Sequence, residues 1–286
     1  VHKQLIIKNK NNQSITLKHE KPLVLQSFND SNGVNSSSSK SMGQDGQTYI
    51  DNDLSERQVS IMFAVVANTK EQLQTSKNNI FKVLNPKLGQ VKIILGDKCI
   101  EGVVDSLPYF KIETPLYETC LINLTCHGSY YKALTEVKNQ VALWQGAFEF
   151  ELELDGDDGI ELGYREPSLI VNVENKGQVE SGMRIEFKAL GTLTNPSLLN
   201  IDTGEYIKVN KIMAEGEVIR ITTDYSNKKA ISLANGLEFN VFKFVDFNST
   251  WLKLNQGDNL FRYDADDGID NLEVSIYHTN KYLGVV

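Results

Sequence analysis

Hydrophobic and polar positions change period several times along the chain. Residues 57–65 alternate strictly, so Val59, Ile61, Phe63 and Val65 share one face of an expected strand. Arg57 points to that same face at its entry. Its simplest placement lays the aliphatic stem on the core edge with the head in water; a paired interface arginine is the sharper alternative. The period then lengthens. Leu73, Ile80 and Leu84 recur at helical spacing with Phe81 beside them, after Asn68-Thr-Lys-Glu71, which reads as a capping-box start with Asn68 at the cap. Pro86 and Gly89 stop that helix. Lys70, Gln74, Lys77, Asn78 and Lys82 occupy its polar face.

Strand-like runs follow at 91–95, 99–104 and 109–112. At 117–126, Cys120, Ile122, Leu124 and Cys126 fall on one face. Short runs near 5–7 and 15–17 flank a turn-prone segment. After residue 146 the pattern is all-β. Phe148, Phe150, Leu152 and Leu154 alternate with glutamates, and further runs come about every ten residues at 168–173, 183–190, 206–209, 217–222, 229–233, 237–242, 258–263 and 271–277. Regular spacing with turn residues in nearly every gap predicts a sandwich or barrel.

One stretch breaks the patterning. Residues 26–48 are rich in serine, asparagine and glycine and end near Gly43-Gln44-Asp45-Gly46, which is turn chemistry. Such a segment buries too little apolar area to offset its ordering entropy. It is expected to be either a floppy surface loop or a segment ordered by a partner.

Charge supports two domains. Residues 1–138 carry 16 Lys+Arg against 13 Asp+Glu, and residues 139–286 carry 13 against 24. A boundary near 138–146 follows, with domains at 1–140 and 141–286. The acidic second half argues against nucleic-acid binding. No apolar run reaches membrane-spanning length, and the first residues are too short and polar for a signal peptide. Cys99, Cys120 and Cys126 read as small buried hydrophobes; Cys120 and Cys126 lie about 20 Å apart along a strand, too far for a disulfide.

Candidate chemistry is sparse. Asp155-Gly-Asp157-Asp158-Gly-Ile160 and Asp264-Ala-Asp266-Asp267-Gly-Ile269 are two acidic clusters of one form. They are weak calcium-ligand candidates, because Asp-Gly is also a strong hairpin signal and neither cluster matches an EF-hand loop. No nucleophile, zinc-protease, phosphate-loop or dinucleotide motif is present. His127 after a strand reads as a packing residue rather than a base. No cofactor is expected. Trp144, Trp251, Tyr206, Tyr225, Tyr263, Tyr277 and Tyr282 read as β-core aromatics, with a sugar-stacking platform as the alternative.

Several motifs in order carry a resemblance: Gly43-Gln-Asp-Gly46, Arg57-x-Val-x-Ile-x-Phe-x-Val65, Leu84-Asn-Pro-x-x-Gly89, Glu174-Asn-Lys-Gly177, Glu180-Ser-Gly-Met-Arg-Ile185, Thr203-Gly-Glu-Tyr-Ile207, Gly216-Glu-Val-Ile-Arg-Ile221, Leu252-x-Leu-x-x-Gly257 and Tyr282-Leu-Gly-Val285. Together they resemble the distal tail proteins of siphophages nearly end to end. The resemblance implies a mainly β chain: an α+β N-terminal split-barrel-like domain with one helix, then a galectin-like β-sandwich. It implies a structural, non-enzymatic protein of the virion tail, made in the bacterial host cytoplasm. Such a protein forms a homo-hexameric hub between tail tube and tail tip or baseplate, contacting the tail tube protein, a tail-associated lysin or fibre protein and a receptor-binding protein. A carbohydrate-binding adhesin recognising cell-wall glycan is the alternative. Chain features nominate Asn32, Gly33, Gly43, Asp45, Gly46, Arg57 and Lys77 for the ring interface.

Overall fold

The computed structural model describes residues 4–140, 144–146, 163–165, 170–234 and 236–285. The chain divides into two compact units. The first comprises residues up to 134 together with the chain's last residues from 282 onward, and the second is Thr135–Lys281. The sequence pattern carries no sign of that return.

In the first unit the alternating segments pair as their periods require. The strands are β1 (Gln4–Lys8), β2 (Ser14–Lys18), β3 (Leu23–Ser39), β4 (Thr48–Val66), β5 (Val91–Leu95), β6 (Lys98–Val104), β7 (Tyr109–Thr114), β8 (Tyr117–Cys126) and β9 (Tyr131–Ala133). They lie side by side in the order β9-β6-β5-β1-β2-β3-β4-β8-β7, and β6 also pairs with β8 through Val103↔Thr125 and Val104↔Leu124. That second pairing curls the sheet back on itself. Val59, Ile61, Phe63 and Val65 from β4 meet Cys120, Ile122 and Leu124 from β8 in one core. Helix α1 (Lys70–Val83) adds Leu73, Ile80 and Val83.

Thr69, not Asn68, caps α1. Its hydroxyl accepts from the Gln72 N–H at 3.2 Å, and the Gln72 side chain accepts from the Asn68 N–H at 3.1 Å. The cap is therefore one residue later than the expected Asn68, and Gln72 rather than Glu71 reaches back, to the N–H of the residue before the cap. Phe81 stays on the rim, tilted against Phe110 with ring centroids 5.5 Å apart. All three cysteines are free and buried. Burial pushes the Cys120 thiol up to about 12 and that of Cys126 to about 11, which keeps both protonated and unreactive.

In the second unit one sheet runs Val137–Gln140, Leu272–His278, Ser181–Ala189, Val218–Thr222, Lys229–Ala234, Leu237–Asn240, with Lys253–Leu254 joined to Ser181–Ala189. A four-stranded sheet runs Ile170–Asn172, Leu260–Asp264, Ser197–Asn200, Tyr206–Lys208. Inward residues of both, among them Ile185, Phe187, Ile219, Val274, Leu198 and Phe261, form one core, as in a β-sandwich. The alternating segment 148–154 lies outside the described residues. At the turn 214–217, burial alone would push the Glu217 carboxyl up. Hydrogen bonds from Lys211 and Ser232 more than offset it and bring the group below the usual carboxylate range.

His278 is buried, with Asn139 3.5 Å from Nδ1 and Asn280, Glu136 and the Glu174 backbone around it. Burial holds its pKa below the ordinary value near 6.5. The folded value is the lower one, so the unfolded chain takes up the proton first. Stability is lost as pH falls through about 6.5 and stops falling below the folded pKa. The melting temperature of the second unit should therefore drop between pH 7.5 and 5 more steeply in the wild type than in His278→Gln. Parallel slopes in a calorimetric pH series would contradict this placement.

Candidate functional site

The stretch expected to be an irregular loop is a long antiparallel hairpin. β3 and β4 pair from Leu23↔Val65 out to Ser39↔Thr48. The residue pattern does not mark it because the outer pairs bury almost nothing; backbone hydrogen bonds hold them, and serine and asparagine carry no strand signal. The Gly43-to-Gly46 segment is its tip. Gly43 and Gly46 both sit at φ 80°, and the Gln44 N–H donates to the Ser41 carbonyl at 3.1 Å. These two positions need glycine because the left-handed conformation excludes most side chains.

The last pair between β4 and β8 is Arg57↔Cys126. Beyond it, among the described residues, β3 and β4 form a ladder only with each other, though the Ser129 hydroxyl still donates to the Ser55 carbonyl at 2.9 Å. The hairpin projects as an arm of six pairs, or roughly 20 Å. Gly33 marks its departure: the register slips between Asn32 and Val34, and a Cβ at Gly33 would lie 3.2 Å from the Ser55 Oγ. The arm is bare. Val34, Met42, Tyr49 and Ile50 are each more than half exposed. A two-stranded hairpin alone in water is marginally stable.

Its root is the opposite. Arg57 is buried, not snorkelling to water. Its guanidinium pairs with Asp30 on β3, donates to the Ser129 carbonyl at 3.1 Å and to the Leu283 carbonyl, and lies 4.9 Å from the centroid of the Tyr131 ring. The Tyr131 hydroxyl donates to the same Asp30 carboxylate at 2.9 Å, and Asn32 donates to the Ser129 carbonyl at 3.1 Å. The Tyr131 hydroxyl is held far above its ordinary pKa, first by burial and then by the Asp30 charge. The 282–285 segment closes over this cluster, with Lys98 4.3 Å from the Tyr282 ring centroid and Tyr282 and Val285 packed on the core. Sequence reading found Arg57 but none of its partners. They lie 27, 72 and 226 residues away along the chain, beyond any local motif.

Of the residues nominated for an interface, Asn32, Gly33 and Arg57 converge on the root, while Gly43, Asp45 and Gly46 lie at the tip. Lys77 is apart from both. It sits on α1 in a 2.8 Å ion pair with the buried Glu118, 4.8 Å from the Phe110 ring centroid.

The second acidic cluster is a turn. Asp266 is taken by Lys208 at 2.7 Å and Asn195 at 2.8 Å, which hold its carboxyl below the usual range. Asp267 accepts from the Gly268 N–H, and Asp264 lies 3.8 Å from Arg262. No group of three or more metal-ligating side chains occurs among the described residues. Asp155, Asp157 and Asp158 lie outside those residues. His127 is exposed, 3.5 Å from Glu56, rather than a packing residue. Among the described side chains the aromatics do not gather into a platform: Tyr263 is core, Trp251 stacks on Phe242, Tyr277 lies under Arg184 and Tyr225 is exposed; the Trp144 side chain lies outside them.

Two family models match, one in each unit and in order. Residues 10–126 match the phage tail protein RIFT-related domain, and residues 176–282 match the siphovirus-type tail component, C-terminal domain. No curated protein sequence matches the chain. Among solved structures, the crystal structure of the SPP1 Dit protein, described as a paradigm of the hub adsorption apparatus in phages infecting Gram-positive bacteria, has the same fold. Its TM-score is 0.68 at 12% identity, over 97% of this chain and 98% of that one. A chain of the phage P2 baseplate in its activated conformation with Ca aligns over 99% of both chains at 13% identity and a TM-score of 0.49. The mainly β architecture, the two domain matches in order and the full-length likeness in fold converge: the chain belongs to the siphovirus distal tail protein family and is a component of the phage tail.

Proposed function

We propose that this protein is a structural hub. Six copies close into a ring at the end of the tail tube, the first unit builds the ring, and the second carries tail-tip proteins. The tail tube protein sits on one side; a tail-associated lysin or fibre protein and receptor-binding proteins dock on the other. The observation that carries this reading is the arm, a bare β-ladder held stiffly at its root, on a chain whose family is that of tail components. A heterologous contact repeated by rotation produces a ring when it closes, and a projecting arm on every copy is suited to such a contact. No nucleic-acid, membrane or catalytic role is included.

The test is mass. Sedimentation of the purified chain, alone and with its tail tube protein, should yield a species of six copies. A strict monomer under both conditions, together with measurable binding to host-wall glycan, would instead favour an adhesin.

A further inference from the structure

We infer that the acidic face of the arm docks on a lysine cleft of the first unit of the next copy. This rests on the hub reading and names the contact that closes the ring. Asp51 and Asp53 sit opposite Ser37 and Asn35, two residues apart on one strand, and so share a face of the hairpin. Both are exposed, and neither has a cation partner among the described residues.

The complementary surface is an open cleft of about 440 Å³ beside the turn between β1 and β2, lined by Lys8, Lys10, Lys92 and Glu101. Lys8 and Lys92 are direct cross-strand partners in the β1–β5 ladder. Like charges placed directly opposite are destabilising. Glu101, opposite Lys92 on β6, relieves part of that repulsion. None of the three lysines is in an ion pair among the described residues, so the row has room for further carboxylates.

Topology turns the arm away from the cleft of its own copy. The arm leaves the sheet at Arg57↔Cys126, level with Gly102 through the β6–β8 pairing, and from there runs in the direction of Lys98, away from the 9–13 turn. That direction carries Asp51 and Asp53 away from their own cleft, whereas a head-to-tail neighbour can present its cleft to them. This is the heterologous geometry that a closed ring needs. The occupant is a second copy of this chain because the charges are complementary and each surface lacks a partner within its own unit.

Charge exchange tests the pairing. Three full-length proteins are compared with wild type: Asp51→Lys with Asp53→Lys, Lys8→Glu with Lys92→Glu, and all four changes together. Circular dichroism confirms folding, and sedimentation with the tail tube protein reads assembly. Each reversed pair should raise the concentration for half-assembly by about tenfold or more, and the fourfold variant should return to within about threefold of wild type. Higher salt should weaken wild-type assembly. The pairing is overturned if both reversals assemble like wild type while removal of the arm still abolishes rings; the hub reading then stands. It is also overturned if the cleft reversal weakens assembly and the fourfold variant is no better, since the cleft then takes an acid from another protein. Absence of any ring from wild type sinks the hub reading and this pairing together.

Discussion

Arg57→Leu is expected to cost the first unit about 3–5 kcal/mol, the range for breaking a buried ion pair from one side. The loss is large because the substitution strands several groups at once. Asp30 keeps only the Tyr131 hydroxyl, and the Ser129 and Leu283 carbonyls each lose a charged donor. Leucine fills the stem but satisfies none of these acceptors. The same change frees the 282–285 segment, so its effects extend to the C-terminus. Hydrogen exchange should show lost protection at β9 and at the root of β3 and β4, alongside a lower denaturant midpoint. Lys111→Ala, which breaks the exposed Lys111–Glu113 pair, should leave the midpoint where it was. If Arg57→Leu behaves like Lys111→Ala, the root cluster is not what holds the arm.

Shortening the arm should abolish assembly and spare the fold. The cut must respect the ladder. Removing 35–53 and joining Val34 to Leu54 through Asn-Gly keeps the pair Val34↔Leu54 and supplies a two-residue hairpin turn. Everything removed is largely solvent-exposed, so the melting temperature of the first unit should stay within a few degrees. Assembly on the tail tube should weaken at least about a hundredfold, because the removed residues include the bare Tyr49 and Ile50 and both face aspartates. A cut over 30–42, which an irregular loop would tolerate, would take Asp30 and one half of the ladder and unfold the root. Normal rings from the 35–53 deletion would show that the arm is not a ring contact.

Much of the architecture was legible in the sequence because burial follows period. The strand at 57–65, the helix near 70–83 and most of the strands of the second unit announce themselves by alternation or by helical spacing. What escaped detection lacked that link. The outer arm is strand without burial, so no hydrophobic alternation marks it. The Arg57 head is buried by residues that are local to it only in space. The return of 282–285 to the first unit depends on two apolar side chains, Tyr282 and Val285, and one backbone carbonyl, too little to register as a pattern. The candidate site was half visible for the same reason: turn glycines pointed to the tip, while Asp30, Ser129 and Tyr131 carried no local signal.

Electron microscopy of the purified chain bound to its tail tube protein tests the hub most directly. Closed rings of six copies capping the tube, with each arm crossing onto its neighbour, are the expected image. Tubes that stay uncapped, or that carry single copies scattered along their sides, would contradict it.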